Sequence, residues 1–430
     1  MVSLLSGQTP VASPKISKGR GFFAAKAFDE QALELSPADS VSDGPIADMV
    51  DDILSRSVAL RASDIHVEPT ETDLLIRVRV DGVLEELDRL AQSVSAPFVS
   101  RLKVLARINI VERRRPQDGQ FTVTVDGKSI DVRLATVATL HGEKAVMRLL
   151  DTNRTLTDLR GLGMSEDHFE IFNRLIHAQH GLVIATGPTG SGKTTTLHSA
   201  LQEIDYKNLN VSTIEDPVEY IVPGINHIPV SEEIGIGFST QLRALLRQDP
   251  DVILVGETRD SDTARISVQA ALSGRMVLTS LHATDATSAI YRLFQMEIEP
   301  YLVAASLRGV ISQRLVRRIC PDCKYSYEAS KLEILQLFGA ETKKSLTLYA
   351  GKGCASCRNS GYLDRIGVYQ IFEITEKMRE LISTRPDPSE LARAAAEGGL
   401  KSLIEEANQL VLDGETTLQE VIRLVSSDVS

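Results

Sequence analysis

A glycine-rich segment between an apolar run and a helical stretch constrains the fold of this chain more than any other feature. Residues 181–201 read GLVIATGPTGSGKTTTLHSAL, which predicts a buried strand, a loop and a helix in that order. The loop glycines let backbone N–H groups face phosphate oxygens, and the helix adds its positive N-terminal end. A chance glycine-rich turn would not combine every fixed position of the motif with these flanks. The segment therefore predicts a nucleotide-binding loop.

The loop motif assigns chemistry to individual residues. Lys193 is expected to reach the outer phosphates of the nucleotide, and the hydroxyl of Thr194 is expected to bind magnesium. The predicted ligands are therefore ATP and Mg²⁺. The expected nucleotide-binding residues are Gly187, Pro188, Thr189, Gly190, Ser191, Gly192, Lys193, Thr194 and Thr195.

Two further apolar runs end in carboxylates. The run DVILVG leads to Glu257, which is predicted to hold the magnesium-bound water. The segment STIEDPVEY contains Glu215, which is predicted to orient or deprotonate the attacking water in phosphoryl transfer. Helix-capping or surface acids are the alternative interpretation for each carboxylate alone. Further polar residues in these segments are Asp216, Glu219, Arg259 and Asp260.

One histidine follows a third apolar run. His282 lies in MVLTSLHATDA, just after a predicted buried strand. A lone histidine at such a position is more often a hydrogen-bonding core residue than a catalytic one. On sequence pattern alone, both interpretations of His282 remain open.

All four cysteines of the chain lie in two CxxC pairs. Cys320 and Cys323 form CPDC, Cys354 and Cys357 form CASC, and thirty residues separate the pairs. Four thiolates in two knuckles favour a closed tetrahedral zinc site, although the intervening stretch is longer than in a usual zinc ribbon. Unrelated buried cysteines and a redox pair are the alternatives. A site with four sulfur ligands has no open position for water, so its expected role is structural.

Length and charge limit the class of protein. A chain of 430 residues suggests two or three domains, and 58 acidic against 47 basic residues give a net charge of −11. This charge argues against a large nucleic-acid footprint, and the basic runs 113–115 and 317–318 are expected to be solvated faces or subunit contacts. No apolar run approaches the ~18 residues that span a bilayer, and the N-terminus lacks the apolar core of a secretion signal. A cytoplasmic location is therefore expected.

Changes of pattern along the chain suggest five regions. Asp-Gly pairs at 81–82 and 126–127 lie between strand-like runs and predict two hairpins. After residue 156, near-continuous apolar runs alternate with helical stretches, which is typical of a parallel sheet covered on both faces. The predicted regions are an arm at 1–44, an α+β domain at 45–150, an α/β nucleotide-binding core at 151–312, a four-cysteine module at 313–374 and a helical region at 375–430.

Together, these motifs resemble the secretion ATPases of type II secretion and type IV pilus assembly, the family of general secretory pathway protein E and the pilus-extension ATPases. The resemblance runs from about residue 45 to the end of the chain. It rests on the loop motif, STIEDPVEY (the family's Asp box), LTSLHATDA (the His box) and the cysteine segments QRLVRRICPDC and GCASC, together with ASDIHVEP, IRVRVDGVL, RRPQDGQ and LRALLRQDPDVILVGETRD.

The resemblance implies an architecture and completes the site. It implies a homohexamer of RecA-like P-loop NTPase cores, each preceded by a PAS-like domain that closes over the neighbouring nucleotide. It favours a γ-phosphate sensor role for His282 and adds the arginines Arg243, Arg247 and Arg77 to the catalytic residues. The implied partners are an inner-membrane platform protein and the cytoplasmic domain of an inner-membrane recruiting protein. The implied location is the inner face of the bacterial inner membrane.

The chain departs from the family pattern in three places. Only about 44 residues precede the PAS-like domain, where members usually have a sizeable docking domain. The segment ATVATL (135–140) replaces a stretch that usually contains proline, and Asp364 and Gln370 stand where Gly and Glu are typical. These changes affect the subtype more than the predicted ATPase chemistry.

The sequence leaves several functions to compare. Powering type II secretion is the main prediction, with pilus extension as the alternative. A DNA-uptake or conjugation motor is disfavoured by the acidic charge, and the pilus-retraction ATPases lack the four-cysteine module. A scaffold that binds ATP without turnover would not need both Glu215 and Glu257.

Overall fold

The computed structural model describes residues 44–151, 156–339 and 345–428, apart from a few side chains. These residues form two compact units that divide between residues 154 and 155, close to the boundary predicted near residue 150. Each unit has its own hydrophobic core. The predicted arm lies outside the described residues, apart from Gly44.

The first unit is an antiparallel sheet with two helices. Its strands follow the order β3-β2-β1-β6-β5-β4. The elements are α1 (Pro45–Ala59), β1 (Asp64–Pro69), β2 (Asp73–Val80), β3 (Val83–Ala91), α2 (Ser95–Ala106), β4 (Gln117–Val125), β5 (Lys128–Thr139) and β6 (Gly142–Asp151). Burial alternates strictly along β2, as expected for a sheet with one face on a core. Residues of α1 and α2 form that core with the sheet.

Both predicted hairpins are confirmed. β2 pairs with β3 and β4 pairs with β5, each across an Asp-Gly turn of two residues. The φ angles are 48° at Asp81 and 84° at Gly82, and 50° at Asp126 and 77° at Gly127. Positive φ at both turn residues is the requirement of a type I′ turn, which Asp-Gly satisfies at low cost.

The second unit is organised around a seven-stranded sheet of order β15-β12-β7-β11-β10-β8-β9, beside a two-stranded sheet of β13 and β14. Its strands are β7 (Gly181–Thr186), β8 (Val211–Glu215), β9 (Asn226–Pro229), β10 (Val252–Val255), β11 (Met276–Leu281), β12 (Leu307–Ile319), β13 (Lys324–Glu328), β14 (Thr347–Gly351) and β15 (Tyr362–Glu373). Its helices are α3 (Glu166–Ile176), α4 (Lys193–Glu203), α5 (Phe238–Leu245), α6 (Ser261–Leu272), α7 (Ala286–Gln295), α8 (Pro300–Ser306), α9 (Lys331–Phe338), α10 (Glu376–Ser383), α11 (Pro388–Glu397), α12 (Leu403–Leu412) and α13 (Leu418–Asp428).

The predicted parallel sheet is confirmed, and both of its faces are covered. β7, β11, β10 and β8 are parallel neighbours in that order. Along β7, Leu182 and Ile184 belong to one core cluster, whereas Val183 and Ala185 belong to a second. Because successive side chains of a strand point to opposite faces, the two clusters cover opposite faces of the sheet. This explains why the β7 sequence is apolar at nearly every position.

The carboxyl ends of the parallel strands carry the predicted site. β7 ends at Thr186, β8 at Glu215, β10 at Val255 and β11 at Leu281. Carboxyl ends of neighbouring parallel strands meet at one edge of the sheet, where open α/β sheets bind ligands. The glycine-rich loop, both predicted catalytic glutamates and His282 therefore share one edge.

β12 continues through the boundary predicted between residues 312 and 313. It stays in the main sheet, parallel to β7 and antiparallel to β15. The cysteine region shares a core with α12 and α13, whereas residues of α10 and α11 pack with the main core. The described part of the chain after Thr375 is helical, as the sequence predicts. None of the described helices combines the length and the apolar character needed to cross a membrane.

Candidate nucleotide-binding site

The glycine-rich loop connects β7 to α4, so the predicted order of strand, loop and helix is confirmed. Gly187 has φ 145° and Gly192 has φ 90°, conformations that favour glycine. A Cβ atom at Gly187 would lie 2.5 Å from the backbone oxygen of Gln313. The loop backbone therefore packs directly against β12, and a side chain at Gly187 would displace it.

Lys193 folds back over the loop. Its Nζ donates to the backbone oxygens of Gly187 at 2.8 Å and Pro188 at 3.0 Å. Burial lowers the pKa of Lys193 to about 8, against an opposing effect of the Glu257 charge. Ser191 Oγ is buried and has no hydrogen-bond partner among the described residues. An unpaired hydroxyl and a confined ammonium group in a glycine-lined loop fit a phosphate ligand.

Thr194 and Thr195 follow Lys193 in the first turn of helix α4. Thr195 Oγ1 lies 3.2 Å from the Tyr220 hydroxyl, which comes from the STIEDPVEY segment. Thr194 is the second residue of the helix and is half-buried. A hydroxyl at the start of the helix is suited to a magnesium ion bound with the nucleotide. The predicted role of Thr194 fits this placement and stays a prediction.

Glu257 follows β10 and lies among charged groups. Its carboxylate forms an ion pair with Arg259 at 2.6 Å and lies 3.9 Å from His282 Nε2. The negative charge of Glu257 also acts on Lys193, where it partly offsets the lowering of the lysine pKa by burial. Asp260, by contrast, caps helix α6 by accepting from the Thr263 amide at 2.8 Å. Glu257 is therefore electrostatically coupled to Lys193, whereas Asp260 caps a helix.

Glu215 is the last residue of β8 and is only 3% exposed. Its Oε1 accepts from Thr213 Oγ1 at 2.6 Å and lies 2.9 Å from His227 Nδ1. Its Oε2 lies 3.1 Å from His198 Nε2. Burial alone would raise the pKa of Glu215, but the contacts with His198 and His227 outweigh it, and the pKa is lowered to about 2. Its neighbours Asp216 and Glu219 are exposed.

His282 follows β11, and 52% of its side-chain surface is exposed. Partial burial lowers its pKa, and the positive charge of Lys193 contributes in the same direction. A neutral imidazole close to Glu257 and electrostatically coupled to Lys193 can hydrogen-bond at the phosphate side of the loop. It does not occupy the buried core position that the alternative interpretation required.

The three predicted arginines lie on segments other than the loop. Arg243 and Arg247 are exposed on and just after α5, and Arg247 donates to the backbone oxygen of Arg243 at 2.9 Å. Arg77 lies in the first unit, where it pairs with Glu68 at 2.7 Å. Their catalytic roles stay predictions.

Sequence reasoning missed two buried polar residues of β12 beside the loop. Gln313 Nε2 donates to the Ser191 backbone oxygen at 2.6 Å. Arg314 Nη2 donates to the backbone oxygen of Thr284, in the loop that also carries His282, at 2.7 Å. Arg314 is only 5% exposed, and its charge lowers the pKa of Lys193. The available signal was a Gln-Arg pair between two apolar stretches of this strand.

The four cysteines lie together, as predicted. The Sγ–Sγ distances are 3.8 Å for Cys320–Cys354, 3.7 Å for Cys323–Cys357 and 3.6 Å for Cys354–Cys357. A tetrahedron with Zn–S bonds of ~2.3 Å places its sulfurs about 3.8 Å apart. The backbone N–H groups of Cys354 and Gly361 donate to Cys357 Sγ at 3.2 and 3.3 Å. Such amide donors stabilise a metal-bound thiolate, so the cluster fits Zn²⁺.

The sheet order, the loop at the end of β7 and the carboxylates on the adjoining strand ends define a P-loop NTPase with a RecA-like core. Within this class, the chain belongs to the type II/IV secretion system protein family, whose model matches residues 39–423.

Individual relatives are similar over most of their length. The chain is 43% identical to the type II secretion system ATPase E of Vibrio cholerae serotype O1 over 390 residues, which are 90% of this chain and 76% of that protein. It is 41% identical to the type IV pilus assembly ATPase PilB of Myxococcus xanthus over 394 residues, which are 91% of this chain and 70% of that protein.

Solved structures share the fold. The pilus retraction motor PilT with bound ADP aligns with a TM-score of 0.57 at 25% identity, covering 87% of this chain and 96% of PilT. The ATPase DotB of Legionella pneumophila aligns with a TM-score of 0.65 at 20% identity, covering 91% of this chain and 98% of DotB. The likeness to DotB concerns the fold alone.

Proposed function

We propose that the chain is the hexameric ATPase motor of a type II secretion system, hydrolysing ATP to power pseudopilus assembly and the export of folded proteins across the outer membrane. One observation carries the proposal. The complete phosphate loop and two carboxylates share one sheet edge in a chain that is 43% identical to a type II secretion system ATPase E over 90% of its length.

The proposed reaction uses residues at the carboxyl ends of β7, β8 and β10. The loop amides of residues 187–192 bind the phosphates of ATP, and Lys193 exchanges its two carbonyl contacts for phosphate oxygens. Water attacks the terminal phosphorus, the bond to the bridging oxygen breaks, and ADP and phosphate form. Glu215 and Glu257 orient this water, and one of them, in our proposal Glu215, takes its proton. Mg²⁺ held with the nucleotide at Thr194 neutralises phosphate charge.

Positively charged and neutral donors complete the proposed site. His282, whose Nε2 lies 3.9 Å from the Glu257 carboxylate, is proposed to sense the terminal phosphate. Arg243, Arg247 and Arg77 are the candidates for neutralising charge as the phosphoryl group leaves. An arginine in this role can accelerate phosphoryl transfer by about 10³ to 10⁵.

The cysteine cluster is proposed to hold one structural Zn²⁺. The sulfur spacing of Cys320, Cys323, Cys354 and Cys357 and the amide donors at Cys357 support the assignment. Four thiolate ligands leave no coordination position for substrate. The metal would therefore stabilise the module rather than take part in hydrolysis.

The proposed partners follow the family. They are further copies of the chain in a homohexamer, an inner-membrane platform protein and the cytoplasmic domain of an inner-membrane recruiting protein. The chain is proposed to act in the cytoplasm as a peripheral protein on the inner face of the inner membrane. With a net charge of −11, direct nucleic-acid binding is not expected.

Type IV pilus extension is the second candidate function. It is favoured by the relative from Myxococcus xanthus, a type IV pilus assembly ATPase with 41% identity, only slightly below the 43% of the Vibrio cholerae relative. Both functions use the same ATPase chemistry. They differ in the pilin-like subunits that the platform protein assembles.

Genetic complementation distinguishes the two candidates. The gene is deleted in its host, and the strain is complemented with wild-type chain or with Lys193→Ala. We expect wild-type chain alone to restore secreted enzyme activity in the medium, with surface pili unaffected by the deletion. Restored pili with unchanged secretion would assign pilus extension instead. Restoration of secretion by Lys193→Ala would contradict an ATP-driven role.

A further inference from the structure

A buried polar cluster surrounds the predicted catalytic carboxylate. Glu215 on β8 is contacted by Thr213 on the same strand, by His227 on β9 and by His198 on the nucleotide-binding helix α4. All four side chains are at most 9% exposed. The proposed reaction assigns no role to the two histidines, although they contact the carboxylate that would receive the proton of the attacking water.

The hydrogen bonds of His227 fix the position of its proton. The backbone N–H of Val222 donates to His227 Nε2 at 3.1 Å, so Nε2 carries a lone pair. The proton of the neutral ring is therefore on Nδ1. This Nδ1–H lies 2.9 Å from both Glu215 Oε1 and Thr213 Oγ1 and can donate to either oxygen. His227 is thus oriented by the backbone with its N–H toward the carboxylate.

His198 connects the carboxylate to the nucleotide-binding helix. Its Nδ1 lies 2.9 Å from the backbone oxygen of Thr194, one helical turn earlier, so Nδ1–H is the donor there. Its Nε2 lies 3.1 Å from Glu215 Oε2, without the alignment of a straight hydrogen bond. The rings of His198 and His227 are nearly parallel, with centroids 6.2 Å apart. With its proton on Nδ1, His198 packs beside Oε2 without donating to it, whereas Oε1 accepts from Thr213 and lies against His227 Nδ1.

The same three side chains resemble a two-histidine, one-carboxylate metal site, since one ligand atom of each lies within 4.8 Å of the others. The proton of His227 argues against this interpretation. A metal bound at Nδ1 would require the ring proton to move to Nε2, where it would meet the N–H of Val222. Hydrogen bonding explains the contact between His227 and Glu215 without that conflict.

We propose that His227 is a positioning residue that holds Glu215 in a buried resting position, from which the carboxylate must be released before it can orient water. This inference rests on the proposed ATPase function. His198 lies on the helix that begins with Lys193, so a shift of this helix on nucleotide binding moves one side of the cluster. Occupation of the loop and release of the carboxylate are thereby coupled, which limits turnover in the resting chain.

A matched pair of substitutions at His227 tests the donor directly. In His227→Gln, the side-chain amide can still accept from Val222 but lies one bond beyond the position of Nδ1. In His227→Asn, the amide nitrogen occupies the position of Nδ1 and can still donate to Glu215. We expect His227→Gln to raise the basal kcat by roughly five-fold, with little change in KM, because one hydrogen bond no longer favours the resting position. His227→Asn should retain the low basal rate.

The opposite result would overturn the proposal. A fall in kcat in His227→Gln, matching the fall in Glu215→Gln, would mean that His227 supports the active position of the carboxylate. Equal effects of the Gln and Asn variants would show that the donor at Nδ1 is irrelevant. Thermal unfolding of both variants shows whether either has lost the fold.

A readout without catalysis separates this inference from the proposed function. In ¹⁵N-histidine NMR spectra of the nucleotide-free chain, His227 should show a protected proton on Nδ1. Addition of Mg²⁺ with a non-hydrolysable ATP analogue should remove that protection. If wild-type chain binds nucleotide without hydrolysing it, the proposed function fails while this measurement still decides the coupling. Unchanged protection in the nucleotide-bound chain would contradict it.

Discussion

Burial gives Lys193 an acid–base behaviour that differs from that of a surface lysine. Its ammonium group donates to two loop carbonyls and has a pKa of about 8, because the confined site disfavours the charged form. Nearby negative charge acts in the opposite direction, as Glu257 already shows. Nucleotide phosphates would add much more negative charge and favour the ammonium form.

Nucleotide binding is therefore expected to be coupled to proton uptake at alkaline pH. At pH 9 the free chain has mostly neutral Lys193, and binding must add a proton, so the apparent affinity falls as pH rises above about 8. Calorimetric titrations with a non-hydrolysable ATP analogue in buffers of different ionisation enthalpy measure this uptake. At pH 7 the lysine is charged in both states, and its uptake should vanish. Equal proton uptake at both pH values would contradict the assignment.

The site residues differ in how far the sequence could predict them. The loop glycines and Lys193 belong to a contiguous motif in which each position has a stereochemical reason. The surroundings of Glu215 could not be predicted, because His198 and His227 lie far from each other along the chain and meet only when β8, β9 and α4 pack together. Gln313 and Arg314 were missed because their partners are backbone groups of other loops.

At the scale of elements, Gln370 on β15 links two segments of the second unit. Its Oε1 accepts from the Ala286 amide at the start of α7, immediately after the loop that carries His282, at 3.1 Å. Its Nε2 donates to the Lys401 backbone oxygen at 2.9 Å, and the residue is 8% exposed. Glutamate, the residue expected from the family resemblance, could accept but not donate. The departure noted in the sequence thus has a structural consequence.

Replacing Gln370 with Glu should destabilise the second unit. The carboxylate would face the Lys401 carbonyl without a donor between them, and an unsatisfied buried pair of acceptors costs about 1–3 kcal/mol. Urea unfolding monitored by circular dichroism measures the change in free energy. Gln202→Glu, at an exposed position of α4, is the matched control and should have little effect. Equal stability of the two variants would refute this role for Gln370.

The cysteine module gives the second prediction at this scale. We expect the purified chain to contain one zinc ion per chain, and Cys354→Ser to lose it. Loss of metal should destabilise the module by several kcal/mol or more and loosen α12 and α13, which share its core. Elemental analysis and hydrogen exchange of α12 and α13 measure both effects. Metal-free chain with unchanged protection of these helices would argue against a structural zinc.

Elements with local rules were predicted best. The Asp-Gly hairpins follow from turn geometry, and the parallel strands follow from apolar runs alternating with helical segments. The extent of β12 was not predicted, because its polar residues resemble the end of a strand, although Gln313 and Arg314 are buried by their contacts with neighbouring loops. Contacts with loops that are distant in the sequence therefore allow the strand to continue through these polar residues.

For the whole molecule, the two units differ in architecture and have separate cores. The first is an antiparallel sheet with its core on helices α1 and α2, and the second places a parallel sheet between two cores. Apolar alternation gives way to continuous apolar runs between the two units, and the domain bounds taken from the sequence stay predictions. The proposed hexamer and its partners depend on surfaces that sequence patterns do not specify.

Steady-state phosphate release from Mg-ATP by the purified chain tests the central claim most directly. We expect wild-type chain to hydrolyse ATP and Lys193→Ala to lose activity by about 10²-fold or more, because the charge that stabilises the transferring phosphoryl group is removed. Thermal unfolding should show that the variant is folded. Absence of Mg-ATP binding and hydrolysis in wild-type chain, or equal rates in the two proteins, would contradict the account.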